Sequence, residues 1–399
     1  MRLALLALRF LLARPLQAVL NLLLLALGLA SITFVLLASH QVERAFTRDL
    51  AGIDAVVGAK GSPMQLILSG VFHLDVPTGN VPLKEVQALA QHPLVAEVIP
   101  ISLGDSFQGF RIAGTTPRWL AHYQLAFAQG GAWQQPMQAV LGAQVAAATG
   151  LQTGERFAGS HGLAGGETHA ETPYIVSGVL AACGCVADRL VLTSLASVWQ
   201  VHEHATAADE DERKALEEER EVTVALVRYR SPLAAVTFPR FVNGSTAMQA
   251  AAPAVEVSRL LRMLGVGSDV LRGVGGVLLL AAGLSVFIAL WNAVRERRAD
   301  LAMLRMLGAP PRRVAGLLVC EALWLAVLAS VLGLAAGHAL MAGVGALLAE
   351  RQSLPLSGWT VLPQEAWVVA LAQGVALLSA LLPAASAWRT DVARLLNER

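Results

Sequence analysis

The sequence predicts a membrane α-helical protein, with four transmembrane helices and a large α/β extracytoplasmic domain inserted between helices 1 and 2. Three observations carry this reading. Hydrophobic residues make up 55% of the 399 residues and charged residues only 15%, with a mean hydropathy of +0.56; average soluble domains carry about 25% charged residues. The missing charge is concentrated in four runs, each long enough for the roughly 20 apolar residues that cross a bilayer core. The arginines gather in the segments that flank those runs, in a pattern that sets a single orientation.

The elements follow in chain order. Residues 1–15 carry Arg2, Arg9 and Arg14 among leucines, with no acid. Arg2 and Arg9 are seven apart and share a helical face, so the segment reads as a cytoplasmic amphipathic helix lying along the inner membrane surface; the plainer alternative is the basic flank of an anchor. Residues 16–38 form the first span, with Pro15 suited to a first helical turn. The run exceeds the apolar region of a cleaved signal peptide and no small-x-small cleavage site follows it, so it is expected to stay as an anchor. Residues 39–272 form the inserted domain. The second span, 273–294, is uncharged between Arg272 and Arg295. A loop at 295–313 precedes the third span, 314–349, whose only full charge is Glu321. A short loop at 350–365 leads to the fourth span, 366–388, and a tail at 389–399.

Charge orients these pieces. The N-terminal segment has a net charge of +3, the 295–313 loop +4 and the tail +1, which leaves −7 for the remainder of a chain whose total is +1. Positive loops stay in the cytoplasm. Both termini and the 295–313 loop are therefore expected inside, and the inserted domain and the 350–365 loop outside.

Within the inserted domain, alternation and β-branched runs predict strands at 54–57, 95–101, 173–180, 190–193 and 222–229. Helical spacing after Pro82 predicts a helix over 83–90. A second helix is expected from Ala139, ending at Gly150 before a Thr-Gly turn. Residues 207–221, dense in Asp, Glu, Arg and Lys, read as a solvated helix. His161, His169, Cys183, Cys185, His202 and His204 fall within 44 residues, and these side chains are good ligands for zinc or copper. Their spacing matches no tight zinc pattern, and on a helix His202 and His204 would point apart. No metal site and no cofactor are expected on that basis, and the side chains read as polar loop or surface groups. Three cysteines, one of them Cys320 in a hydrophobic run, make no disulfide framework. The stretch Gly58-Ala-Lys60-Gly-Ser-Pro63 lacks the Gly-x4-Gly-Lys-Ser/Thr spacing of a phosphate loop and reads as a constrained loop. Lys60, Lys84 and Lys214 are the only lysines, and none precedes Ser or Thr. The chain therefore contains no ATP-binding loop of this kind.

The segment 297–309 is too polar to span and too rich in leucine for a free loop. As a helix it places Leu301, Leu304 and Gly308 on one stripe, with Arg298 and Arg305 on the adjacent one. Pro310 and Pro311 are expected to end it. The run Arg297-Arg298-Ala-Asp-Leu301-Ala-Met-Leu304-Arg305-Met-Leu307-Gly308-Ala309, placed between two spans, resembles a segment of the MacB/FtsX/LolC-type ABC-transporter permease family. Glu321 early in the third span, Gly333-Leu-Ala-Ala-Gly337, Pro383-Ala-Ala-Ser-Ala-Trp388, and the stretch from Val140-Leu-Gly142 to Gly154 resemble other parts of that family. Asp300 stands where the family usually has Glu, and Asp391-Val392 where its tail has a proline.

The resemblance implies a permease subunit in the bacterial plasma (inner) membrane that pairs with itself as a homodimer and with a separate ABC ATPase subunit. ATP hydrolysis by that partner would be coupled to movement or extraction of a substrate on the extracytoplasmic side, a mechanotransmission role. Arg298, Leu301, Leu304, Arg305, Leu307, Gly308 and Ala309 would form the ATPase-coupling surface, and Glu321 an intramembrane polar group facing protein or the inner interface, with Arg298 or Arg305 as partner. Membrane lipids and a periplasmic adaptor or substrate protein are the other expected partners, and nucleic acid is not. The chain itself is expected to be non-catalytic. The rival reading is an FtsX-like signalling adaptor controlling an external hydrolase, for which the inserted domain is large. A membrane-bound enzyme is a third reading, and no Ser-His-Asp pattern supports it.

Overall fold

The computed structural model describes residues 2–13, 15–74, 76–162, 166, 168–206, 211, 216–217, 219–296, 303, 305–306, 308–350 and 356–388. The chain divides into two units, residues 1–42 with 263–399, and residues 43–262.

In the first unit the apolar runs are helical. Four helices among the described residues are long and apolar enough to cross a membrane: Pro15–Asp49, Pro253–Glu296, Pro311–Leu348 and Glu365–Trp388. Prolines open three of them, where the missing N–H would have had no intrahelical partner. The first helix runs past its apolar stretch to Asp49, and the second begins at Pro253. No proline interrupts either polar extension, and adding residues to an existing helix is far easier than starting a new one. Leu16, Leu20, Leu23 and Leu27 form an exposed stripe on the first helix, each at least 56% exposed, which a hydrocarbon phase would cover. The opposite face carries Leu25 and Leu29 into a common core with Leu279, Val286, Ala322, Ala326, Ala372 and Ala376.

Small residues let these helices approach. A Cβ on Gly333 would lie 2.6 Å from Leu29 Cβ, and one on Gly337 would lie 2.7 Å from Thr33 Cβ. The Gly333-x3-Gly337 pair therefore seats the third long helix directly on the first, as small residues four apart do between membrane helices. Gly28 and Gly275 make the corresponding close approach between the first and second. The N-terminal helix Arg2–Leu12 docks on the third long helix: Ala7 and Leu11 are buried, and Trp324 Nε1 donates to the Ala4 carbonyl at 3.1 Å. Gln41 of the first long helix exchanges two 2.8 Å hydrogen bonds with the backbone of Ser357, in the segment between the third and fourth. Glu365 accepts from the Leu362 amide at 2.8 Å and lies 3.2 Å from His338 Nε2.

The second unit is built on an eleven-stranded mixed sheet. Its main path runs Met248–Ala251, Ala55–Ala59, Val224–Tyr229, Val95–Phe107, Phe110–Thr115, Leu190–Ser194, Gln138–Leu141, Tyr174–Leu180 and Phe127–Gly130. The thirteen-residue strand Val95–Phe107 joins two halves with separate cores. On one side the helices Leu83–Ala90 and Ala234–Ser245 bring Val86, Leu89, Phe238 and Val242 onto Val57, Ala225 and Val227. On the other, Phe110, Leu141, Phe157, Tyr174, Val176 and Val201 form the second core. The strand's register shifts between Leu103 and Ser106, a bulge that re-aims the side chains beside it.

Three expectations are corrected here. The helix expected from Ala139 begins only at Ala143, because Gln138–Leu141 is a strand buried between Leu190–Ser194 and Tyr174–Leu180. Gly142 makes the change of element: a Cβ there would lie 2.2 Å from the Ala187 carbonyl oxygen. Two-sided burial in a sheet overrides a local helical preference. Cys183 and Cys185, expected to be unpaired, form a disulfide with Cα atoms 5.1 Å apart; Gly184 at φ 63 folds the chain back between them. The loop expected at 58–63 is confined to residues 60–62, between a strand ending at Ala59 and the helix Pro63–Gly70, which Ser62 caps through the Gln65 amide at 3.4 Å. The acidic segment 207–221 lies largely outside the described residues.

Candidate functional site

Polar groups inside an apolar helix bundle are the first place to look for function, because each must be satisfied by protein. Glu321 is 8% exposed and lines a small cavity of about 30 Å³ with Gln17, Asn21, Val286, Leu290 and Ala322. Asn21 is buried and its Oδ1 accepts from Ser285 Oγ. Three long helices thus contribute polar side chains to one place. A carboxylate facing lipid at mid-bilayer would cost about 2.5–3.5 kcal/mol; this one is buried and borders a cavity that Gln17 and Asn21 also line. Of its expected partners, Arg298 lies outside the described residues, and Arg305 is half-buried.

The same applies to much of the expected coupling segment. Arg298, Leu301, Leu304 and Leu307 lie outside the described residues. Arg305 is helical, and the Gly308 amide donates to its carbonyl at 3.0 Å. Gly308 takes φ 91, a left-handed turn that only glycine adopts without penalty. The segment therefore turns at Gly308, before the proline pair expected to stop it, and Pro311 opens the third long helix. Ala309 is half-buried, and Met303 and Met306 are 56% and 57% exposed.

In the inserted domain, Asp105 follows Gly104 in the bulge of the long strand and is 3% exposed. Three histidines surround its carboxylate. His161 Nδ1 lies 3.2 Å from Oδ1, His169 Nε2 lies 3.8 Å from Oδ1, and His202 Nε2 lies 3.7 Å from Oδ2. Ladder pairing sets the first, Asp105 opposite His161 and Ser106 opposite Ser160. His169 is held by its amide donating to the Gly159 carbonyl at 2.9 Å. His202 comes from the helix Leu195–Thr206. Burial, with the neighbouring His161 and His169, holds the His202 imidazole below the usual histidine range, although Asp105 pulls the other way.

By spacing alone these histidines read as surface groups, and no motif along the chain includes Asp105. The structure collects them because they sit on a strand, a loop and a helix, so no interval along the chain encodes the cluster. Glycine before an acid at the end of a strand was the only local signal. Cys183 and Cys185 are bonded to each other outside the cluster, and the His204 side chain is not among those described.

Comparison with known proteins bears on both units. The MacB-like periplasmic core domain family matches residues 18–238, more than half of the chain, and the FtsX-like permease C-terminal family matches residues 272–390. The chain belongs to the MacB/FtsX family of permeases. Three solved structures are similar to it. The periplasmic region of MacB from Actinobacillus actinomycetemcomitans is 10% identical, with 53% of this chain and 95% of that one covered and a TM-score of 0.34. The extracellular domain of the noncanonic ABC-type transporter YknZ from Gram-positive bacteria is 10% identical, covering 49% and 99%, with a TM-score of 0.31. A domain of a putative permease protein from Porphyromonas gingivalis is 14% identical, covering 50% and 86%, with a TM-score of 0.28. Among curated proteins there is no match.

As a MacB/FtsX permease, the chain is a multi-pass membrane subunit of the ABC-transporter type, with an α/β periplasmic-type domain between its first two long helices. The family implies an ABC ATPase as partner.

Proposed function

We propose that this permease transmits the hydrolysis cycle of a separate ABC ATPase to the inserted domain on the extracytoplasmic side, where a substrate is moved or extracted, and that it works as a homodimer in the bacterial inner membrane. The observation that carries the reading is the arrangement of parts. A MacB-like core domain is joined directly to two long helices, without proline breaks, and an FtsX-like region supplies a short polar segment ending at Gly308 and Pro311. The helices Pro15–Asp49 and Pro253–Glu296 each continue without a proline break from an apolar run into the polar sequence bordering the inserted domain, the kind of continuity that mechanical transmission requires. The positive charge of the 295–313 loop supports a cytoplasmic position for the ATPase contact.

The coupling surface is proposed at Arg298, Leu301, Leu304, Arg305, Leu307, Gly308 and Ala309. Leu304→Arg keeps the loop positive, so topology is expected to persist while co-purification of the ATPase and stimulation of its hydrolysis are lost. Ala309→Arg is expected to act in the same direction. Gly308 is a poorer probe, since at φ 91 any side chain adds backbone strain. Wild-type stimulation in both variants would remove this segment from the mechanism. The purified permease alone is expected to hydrolyse no ATP above a Walker-mutant ATPase control.

A further inference from the structure

We propose that Asp105, His161 and His202 form a binding site for one zinc-class divalent cation in the inserted domain, with His169 as its outer partner. The ligand atoms of the first three all lie within 4.8 Å of one another. The inference is independent of the transport reading.

Spacing separates a cation site from a plain ion pair. A charge-assisted hydrogen bond between imidazolium and carboxylate runs at about 2.7–2.9 Å. Here the separations are 3.2, 3.8 and 3.7 Å, and neither carboxylate oxygen receives a hydrogen bond from a described residue although both are buried. Zinc bonds to nitrogen and oxygen of about 2.0–2.2 Å put neighbouring tetrahedral ligands about 3.4 Å apart. The His161 and His202 nitrogens, 3.2 and 3.7 Å from the carboxylate, stand near the edge lengths of such a shell, and only the His161 pair is also within reach of a direct hydrogen bond. The three rings converge on the carboxylate, with centroids 4.3, 5.1 and 5.9 Å apart. A divalent ion in their midst neutralises the buried carboxylate and uses neutral imidazoles, the form that ligates metal.

The surrounding backbone holds this arrangement before any ion arrives. The Gly162 amide donates to the Gly104 carbonyl at 2.9 Å, and Ser106 Oγ donates to the Gly162 carbonyl, both tying the histidine-bearing turn to the bulged strand. An isolated bridge pairs Ser160 with Thr168, the residue before His169. Two imidazoles and a carboxylate, without thiolate, suit zinc among the available first-row ions and leave a fourth position for solvent or a further ligand. Occupancy clamps the turn and the Leu195–Thr206 helix onto the strand that joins the two cores.

The test uses the full chain in detergent, freed of any histidine tag, stripped by chelator and reloaded with Zn²⁺ alone. Elemental analysis after gel filtration is expected to find one zinc per chain, and Co²⁺ loading to give visible ligand-field bands. Asp105→Asn and His202→Gln are expected to lower zinc to the buffer background and abolish the bands. His169→Ala is expected to weaken binding by about 10–100-fold, as loss of an outer partner does. His92→Ala, elsewhere in the domain, serves as the control and should bind as wild type does. Circular dichroism checks the fold, and His202→Gln, on a partly exposed helix face, stands in should Asp105→Asn not fold. Wild-type zinc no higher than in the variants, or zinc and cobalt bands that persist in both variants, would overturn the site.

Discussion

His73 shows how a single buried group contributes to the pH response of the inserted domain. Its ring is buried, neither nitrogen has a hydrogen-bond partner among the described residues, and Arg111 and Arg189 lie near it. Burial first, and then those two guanidinium groups, push its pKa from 6.5 to about 3. The sign follows from proton counting. Below pH 6.5 the unfolded chain takes up a proton that the folded one refuses, so stability is complete above 6.5 and falls as pH drops toward 3. The loss is about 1.4 kcal/mol per pH unit. Because His73 has φ 54, asparagine is the fitting replacement: it tolerates a left-handed backbone and does not titrate. His73→Asn is expected to flatten the fall in melting temperature between pH 7 and pH 5 relative to wild type. Parallel pH profiles for the two proteins would refute this. Nothing around His73 in the chain marks it out, since its surroundings are assembled from distant segments.

At the scale of elements, glycines decide the helix bundle. Gly333 and Gly337 face the first long helix with no room for a side chain, whereas Gly343, in the same helix, has nothing within 4 Å of a built Cβ. Gly337→Leu is expected to force the helices apart at a cost of about 1–3 kcal/mol, the usual penalty of overpacking. Gly343→Leu supplies the control. Thermal aggregation in detergent should begin at a lower temperature for the first variant and near the wild-type value for the second. Equal shifts would mean that the pair is not a packing seam. The four apolar runs were legible in the sequence because length and missing charge are one-dimensional properties. The strand at Gln138–Leu141 was not, because its neighbours Val191 and Val176 come from far along the chain.

For the whole molecule, the distribution of arginines predicts the sidedness that the four long helices alone leave open. A reporter fused after Arg399 is expected to be active only in its cytoplasmic form, and one inserted at Ala208 only in its external form. An external signal from the C-terminal fusion would exclude an arrangement with both termini inside, and with it the cytoplasmic coupling segment proposed above. The test is informative because basic loops resist translocation.

By itself the sequence determined the membrane class, the number of apolar helices, the place of the inserted domain between the first two, and the family. Each of these follows from properties carried by contiguous residues: uncharged length, charge per loop, and motifs such as Arg297 to Ala309 and Gly333 to Gly337. Tertiary structure decided what depends on distance in space. It turned Gln138–Leu141 into a sheet strand, joined Cys183 to Cys185, set Gln17 and Asn21 beside Glu321, and gathered His161, His169 and His202 around Asp105. The physical reason is the same in each case. Burial and coordination geometry act between side chains that a sheet bulge, a loop and a helix bring within a few ångströms, and the intervals separating them along the chain carry no trace of that meeting.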